Sequence, residues 1–428
     1  MFENVKITKF ENGACVATSE MLGVNSCSVS FSMPMGSRRE KASEAGWSHF
    51  AEHMAFKGSA KYPTSAAINR ALDRIGGDHN ASTSSLVTAF ETRVPAKWTA
   101  QAVDVLGDIV ANPVFPEVEI DPERKVVFEE IKRNSDSTAR RIGRLAYAAL
   151  WPGHPLGLPV IGNEKSLLNI TAESLRDFHR RHYTAQGAMF VAAGNLDHGQ
   201  IVDMVRPVFD LLSGAPETAF RPASRCRPAN PLVFEYRDVK QAHLLISFRV
   251  PDGADANRVG LLVLAEILGG CMGSRLFKAV REKHGLAYSI YSYAAINVDS
   301  SVIYISAEVD AARVEKAMAL CGRELRKRVE EPVGRRELDD VKNMRINAAL
   351  LLGEDSTQQR ILLEHALRTC GRVTTTAEDI ASYKSVTAEE IQSLAAAVFC
   401  PENCSLALIL PNDCKASPEK LRETLFNR

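Results

Sequence analysis

The run His49-Phe-Ala-Glu52-His53 places two imidazoles and a carboxylate within five residues. On an α-helix, positions four apart lie about 40° apart around the axis, so His49 and His53 share a face on adjacent turns. Two imidazoles so placed can reach one metal ion. Glu52, beside them, is placed to hydrogen-bond a water at the metal instead of ligating it. The preceding Ala42-Ser-Glu-Ala-Gly46 offers a turn into the helix. A two-histidine hydrolytic site needs a third ligand, usually a carboxylate, and one position left open for water.

The segment Glu123-Arg-Lys-Val-Val-Phe-Glu129-Glu130-Ile offers that ligand, after the helix-start signal Asp121-Pro122. Glu123 and Glu130 are seven apart and fall on nearly the same helical face, which Val126 and Val127 are expected to turn inward. Two glutamates on an inward face are costly unless a positive charge opposes them, and a divalent cation would do so. Glu129 lies about 100° away and is expected to face solvent. Glu130 is therefore preferred to Glu129 as ligand, with Glu123 as a helper acting through its charge or from outside the ligands.

The elements that must position these residues come in two sets. Ser213–Pro231 holds Pro216, Pro222, Pro228 and Pro231, a density that breaks helices and sheets. It divides the chain into an N-terminal metal-binding domain (1–212), a linker (213–231) and a C-terminal domain (232–428). The halves resemble each other. Ile170-Thr-Ala-Glu-Ser-Leu reads against Val386-Thr-Ala-Glu-Glu-Ile, and Phe50-Ala-Glu52 against Leu264-Ala-Glu266. Strand-like patterns recur in the same order: Ser28–Pro34, Leu86–Val94 and Met189–Ala193, then His243–Pro251, Ser301–Val309 and Leu406–Leu410. This predicts an α+β fold of two homologous domains, each a mainly antiparallel sheet with helices packed on one face. At an offset of 214 residues, His49, His53 and Glu130 fall on Val263, Ile267 and Met344, while Glu52 and Glu123 fall on Glu266 and Glu337. One copy can bind metal and the other cannot, so the ligands are separable from the scaffold.

The helix motif is the inverted form of the zinc-protease motif. The longer run Gly46-Trp-Ser-His49-Phe-Ala-Glu52-His53-Met-Ala-Phe-Lys-Gly58 resembles the signature of the insulinase (pitrilysin-like) zinc peptidases, closest to the branch with the mitochondrial processing peptidase and its bacterial relatives. The resemblance continues through Gly76-Gly-Asp-His-Asn80-Ala-Ser-Thr83, Glu123 to Ile131, and Arg281-Glu-Lys-His-Gly-Leu-Ala-Tyr288. It implies two domains facing each other like a clam shell around an enclosed chamber. It implies one Zn²⁺ per chain on His49, His53 and Glu130, with Glu52 as general base and Glu123 assisting. It implies peptide binding by Arg281 and Tyr288 and by an edge strand containing Asn80, Ala81, Ser82 and Thr83, which pairs with substrate by strand addition. A homodimer is implied as well, because one chain carries both the zinc motif and the Arg/Tyr pair. Phe90 departs from the tyrosine that relatives often carry, which bears on a substrate contact and not on the zinc site.

Composition narrows the classes. Lys plus Arg and Asp plus Glu are 52 each, and the 428 residues carry no net charge, which argues against nucleic acid as a partner. No run approaches the ~18 apolar residues of a membrane span. The N-terminus has no signal or transit pattern, and nine scattered cysteines suggest reduced thiols, so a cytoplasmic protein is expected. His79 and His154 read as turn residues, and His179 and His182 as cations at a helix end. The expected activity is zinc-dependent endopeptidase. The alternatives are a non-catalytic core-type subunit and another metal enzyme of a related fold, such as an S-ribosylhomocysteine lyase. Against the first stands the intact ligand set; against the second stand the chain length, the duplication and the Glu123/Glu130 helix.

Overall fold

The computed structural model describes residues 4–219, 221–223, 232–250 and 254–427, with the backbone alone for 254–256. Most of the proline-rich part of the linker, including Pro228, Pro231 and Cys226, lies outside the described residues, as does Pro251. The chain forms two compact units. Unit 1 is Met1–Arg133, Leu158–Arg221 and Leu350–Thr376; unit 2 is Asn134–Gly157, Pro222–Ala349 and Ala377–Arg428. Contiguous halves were expected. Instead each half gives one segment to the other unit, at corresponding places in the repeat.

Unit 1 has six strands: β1 (Val5–Lys9), β2 (Cys15–Glu20), β3 (Ser26–Met33), β4 (Asp78–Thr83), β5 (Thr88–Pro95) and β6 (Met189–Gly194). Their order is β1-β2-β6-β3-β5-β4, antiparallel except for β2 with β6. Unit 2 has β7 (Leu232–Arg237), β8 (Gln241–Val250), β9 (Ala287–Ile296), β10 (Ser301–Asp310) and β11 (Cys404–Pro411). Their order is β7-β11-β8-β10-β9, antiparallel except for β7 with β11. Without β1, the two sheets match strand for strand and direction for direction, with β4 answering to β9. The helices Ala172–His182 and Ala388–Val398 start at matching caps, Thr171 accepting from Ser174 N and Thr387 from Glu390 N at 3.1 Å each. Duplication accounts for all of this.

The first five α-helices are α1 (Trp47–Ala55), α2 (Ser65–Ile75), α3 (Thr99–Ala111), α4 (Glu117–Asp136) and α5 (Thr138–Leu150). Strand periodicity explains the layers. In β3 the sequence Ser-Cys-Ser-Val-Ser-Phe-Ser-Met sends Cys27, Val29, Phe31 and Met33 into the core shared with α2, α3 and the helix His198–Asp210. Ser28, Ser30 and Ser32 point to the opposite face and are just as buried, because the helix Ser356–Cys370 covers that face. It does so with arginines. Arg360 donates to Ser28 Oγ at 2.9 Å and to Glu91 at 2.5 Å, and Arg368 donates to Ser32 Oγ at 2.6 Å. In unit 2 the exchanged helix is α5, and its contact is mainly apolar: Ile142, Ala146 and Leu150 pack with Leu245, Tyr304 and Ile409, while Arg141 pairs with Glu235 of β7. So each sheet has its main helical layer on one face, as expected, plus one helix from the other half of the sequence on the second face.

Three local expectations change. The α4 helix begins at Glu117, and Pro122 lies inside it. The carbonyl left without an N–H partner there is that of the highly exposed Val118, which water can serve. His79 sits on β4, not in a turn. His179 and His182 are not helix-end cations: burial pushes each imidazole down to about 4, and His179 Nε2 lies 2.8 Å from Val110 O. His154 is a buried turn residue, Nδ1 accepting from Leu156 N at 3.1 Å. Among the described residues, no helix is long and apolar enough to cross a membrane.

Arg360 is only 1% exposed and bridges two strands of unit 1. Replacing it with alanine strands Glu91 and removes the bond to Ser28. Arg360→Ala should cost about 3 kcal/mol in denaturant unfolding, and a loss near zero would show the exchanged helix to be held by other contacts.

Candidate metal centre

The site is built on α1 and α4. One side of α1, Trp47, Phe50, Ala51 and Met54, packs with Ile120 and Val127 of α4 and with Leu175 and Phe178. That packing turns His49, Glu52 and His53 away from the apolar cluster. The entry to α1 depends on Gly46, which has φ 87° and lies so close to Ile161 that an added Cβ would stand 2.5 Å from its carbonyl oxygen. Only glycine fits such a position.

Exposure changes steadily around α4. Ile120 and Val127 are fully buried, Glu123 is 5% exposed, Glu130 is intermediate and Val126 is 53% exposed. At 100° per residue these lie in angular order, from about +60° (Ile120) to about −60° (Val126) relative to Glu123. The inward stripe is therefore centred on Val127 and not on Val126, contrary to the expectation that both valines turn inward. Glu123 and Glu130 occupy its rim, and Glu129 is exposed to solvent.

Donor atoms of His49, His53 and Glu130 lie within 4.8 Å of one another. His49 Nε2 and His53 Nε2 lie 3.6 and 3.9 Å from the same oxygen, Glu130 Oε2. Both distances exceed hydrogen-bond length, so three donors converge without bonding each other. Among the described residues, Glu130 has no hydrogen-bond partner. A divalent cation fits this set: two imidazole nitrogens and a carboxylate suit zinc, and the local charge is short of a cation.

The supporting contacts fix ring and carboxylate orientation. Glu123 Oε1 lies 2.7 Å from His53 Nδ1, and its Oε2 lies 2.5 Å from Lys57 Nζ. The hydrogen bond from His53, with further help from Lys57, holds the Glu123 carboxyl down to about 2. An ionised Glu123 accepts from Nδ1–H of His53 and leaves Nε2 with its lone pair toward Glu130. Burial pulls His53 down, but its bond to Glu123 and the charges of Glu123, Glu52 and Glu130 outweigh it and raise its pKa. Burial, then the neighbouring His53, pushes His49 down to about 4. Glu52 is buried, which raises its pKa against the opposing effect of a 2.5 Å hydrogen bond donated by Thr83.

Thr83 belongs to β4, an edge strand of its sheet. Asn80 and Ser82 on β4 are exposed, and Ala81 pairs with Phe90, which is fully buried in the core. In unit 2, Tyr288 stands on β9, again an edge strand, 73% exposed, and the Arg281 guanidinium lies 4.9 Å over the Phe277 ring. Sequence reasoning missed three contacts: Lys57 on Glu123, Thr83 on Glu52, and Glu40, whose carboxylate accepts from Gly46 N at 2.8 Å and Ser48 N at 2.7 Å. Lys57 alone left a local signal, four residues beyond His53.

The corresponding place in unit 2 shows the alternative. Val263 and Ile267 are buried in the core of that unit. Glu337 takes a two-pronged bond from Arg275 at 2.8 and 2.6 Å, and Glu266 lies 3.4 Å from Arg345. The retained carboxylates are neutralised by arginine there.

Comparison with known proteins matches two family models along the chain. A model described as insulinase (peptidase family M16) matches residues 15–164, and one described as peptidase M16 inactive domain matches 169–345. The chain is similar to an uncharacterized zinc protease of Mycobacterium tuberculosis, 32% identical over 97% of this chain and 95% of that relative. It is also similar to one of Bacillus subtilis, 30% identical over 94% and 97%. Among solved structures, a peptidase M16 inactive domain from Pseudomonas fluorescens superposes with TM-score 0.88 at 18% identity, covering 97% of this chain and 100% of that one. A protease from Helicobacter pylori gives 0.86 at 20% identity, covering 95% and 100%. The structural likenesses bear on the fold; the full-length sequence relatives bear on the family.

Glu123→Gln keeps the shape of the side chain but removes the charge that His53 and Lys57 share. It should weaken divalent-metal affinity roughly 10–100-fold, measured by competition with a chromophoric chelator. An unchanged affinity would remove Glu123 from the site.

Proposed function

The chain belongs to the insulinase family of M16 peptidases, and from that premise we propose that it is a zinc-dependent endopeptidase acting on peptides or unfolded segments. The observation that carries this reading is the convergence of His49, His53 and Glu130, with Glu52 held beside them by Thr83. His49, His53 and Glu130 would hold Zn²⁺, which when bound supplies Lewis-acid chemistry and lowers the pKa of a water.

The chain's own groups do the rest. Burial raises the pKa of Glu52, which suits a carboxylate that must take a proton from the attacking water and return it to the leaving amine. Thr83 occupies one oxygen of Glu52, Oε2, leaving the other for that transfer. Glu123 and Lys57 keep His53 in one tautomer and orientation. The outer edge of β4 offers unpaired backbone groups to an extended peptide, and the strand end that would receive it carries Thr83. On unit 2, the accessible Tyr288 phenol and Arg281 guanidinium are donors for peptide carbonyls. A homodimer belongs to the same reading.

Glu52→Gln tests it directly. The variant should bind zinc like the unsubstituted chain and lose 10²-fold or more in kcat on a quenched fluorescent peptide. The unsubstituted enzyme should be silenced by chelator and restored by zinc. Normal cleavage by Glu52→Gln would overturn the general-base role, and zinc binding without chelator-sensitive cleavage of any peptide would overturn the peptidase.

A further inference from the structure

The metal-bearing helix is short, and its first turn is where one ligand sits. The α1 helix has nine residues, starting at Trp47. His49 is its third residue, whereas Glu52 and His53 lie a turn further in. The first N–H groups of a helix have no partner within it, so a first turn frays unless something outside accepts from them. The N-cap, Gly46, has no side chain to do so. Glu40 does it from outside the helix, Oε2 accepting from Gly46 N and Oε1 from Ser48 N.

The side chains of the site are not held equally. His53 is tied by Glu123, and Glu52 by Thr83. His49 Nδ1 is buried with no partner among the described residues. The place of the His49 ring thus depends on the backbone that carries it, and that backbone is the turn Glu40 bonds.

The second half of the chain gives an independent contrast. At the offset of 214, α1 corresponds to a segment starting at Leu261 and Glu40 to Ala254. The helix there already begins at Ala254, so the counterpart of the first turn of α1 is helix interior and needs no outside acceptor. The shortened helix and its carboxylate occur together, in the half that carries the metal ligands. Keeping a carboxyl group there is costly: burial pushes Glu40 up to about 7 even with backbone N–H groups donating to it.

We propose that Glu40 is a positioning residue for the metal centre: by bonding Gly46 N and Ser48 N it fixes the first turn of α1, and with it the place of His49 relative to His53 and Glu130. The proposal rests on the reading of these three residues as zinc ligands.

The test uses the full chain, stripped of metal and titrated with zinc against a chromophoric chelator. Glu40→Ala should weaken zinc binding about tenfold, the low end for residues that orient ligands. Glu40→Gln, whose amide oxygen still accepts from one N–H, should show a smaller loss in the same direction and guards against misfolding of the alanine variant. At limiting zinc, the loss of peptidase activity should fall on kcat, with KM for the peptide unmoved. Zinc affinity equal to that of the unsubstituted chain in both folded variants overturns the proposal, as does a loss of folded protein whose folded remainder binds zinc normally. His49→Ala is the control: if it too binds zinc unchanged, the ligand assignment has failed and not the role of Glu40 alone.

Discussion

Four glutamates gather around one nine-residue helix, and each buried carboxylate needs something to answer its charge. Glu40 is answered by two backbone N–H groups, Glu52 by the hydroxyl of Thr83, and Glu123 by His53 and Lys57. Glu130 alone has no hydrogen-bond donor among the described residues, and the imidazoles of His49 and His53 approach it only to 3.6 and 3.9 Å. A divalent cation closes this account where no protein group does. The rest of unit 1 follows from it: a glycine that lets α1 start beside Ile161, an apolar cluster that turns His49 and His53 away from the core, and an edge strand whose last residue reaches Glu52.

Unit 2 is the same frame solved the other way. Its sheet repeats the strand order and directions of unit 1, and it keeps glutamates at the places of Glu52 and Glu123. With Val263 and Ile267 in the core, the two histidine places carry apolar side chains, and Arg345 and Arg275 answer the retained glutamates. A buried carboxylate can be carried through duplication only if its counter-charge is carried or replaced. Here one copy leaves Glu130 facing two imidazoles and the other pairs its glutamates with arginine, which separates the requirement of the fold from that of the site.

What was legible in the sequence was mostly local. The His49/His53 spacing, the choice of Glu130 over Glu129 and the matching threonine caps all follow from helical periodicity over a few residues. The duplication was legible because two segments kept their order at nearly one offset. Val126 was misjudged because Glu123 and Glu130 were taken as the centre of the inward stripe, when they lie on its rim and Val127 marks its middle. The start of α4 was misjudged because an exposed carbonyl at Val118 tolerates the proline that normally ends or begins a helix. Thr83 on Glu52 and Glu40 on α1 depend on how loops and strands fold back, and no period records that.

The exchange of segments between units was also invisible, and its physical origin lies in the second faces of the two sheets. The β3 strand alternates apolar residues with serines, which reads as one face buried and one in water. Yet the serines are buried, because an arginine-bearing helix from far along the chain covers them and bonds the hydroxyls of Ser28 and Ser32. In unit 2 the corresponding face carries Leu245, Tyr304 and Ile409, and a helix packs on it mainly through Ile142, Ala146 and Leu150. The two exchanged helices are therefore not interchangeable: an arginine helix over the apolar face would leave its charges unanswered, and an apolar helix over the serines would leave hydroxyls unbonded. Arginine–serine bonds on one sheet and mainly apolar packing on the other suit each helix to its own sheet. A duplicated chain needs that discrimination most, because its two halves otherwise present the same topology to every segment seeking a partner.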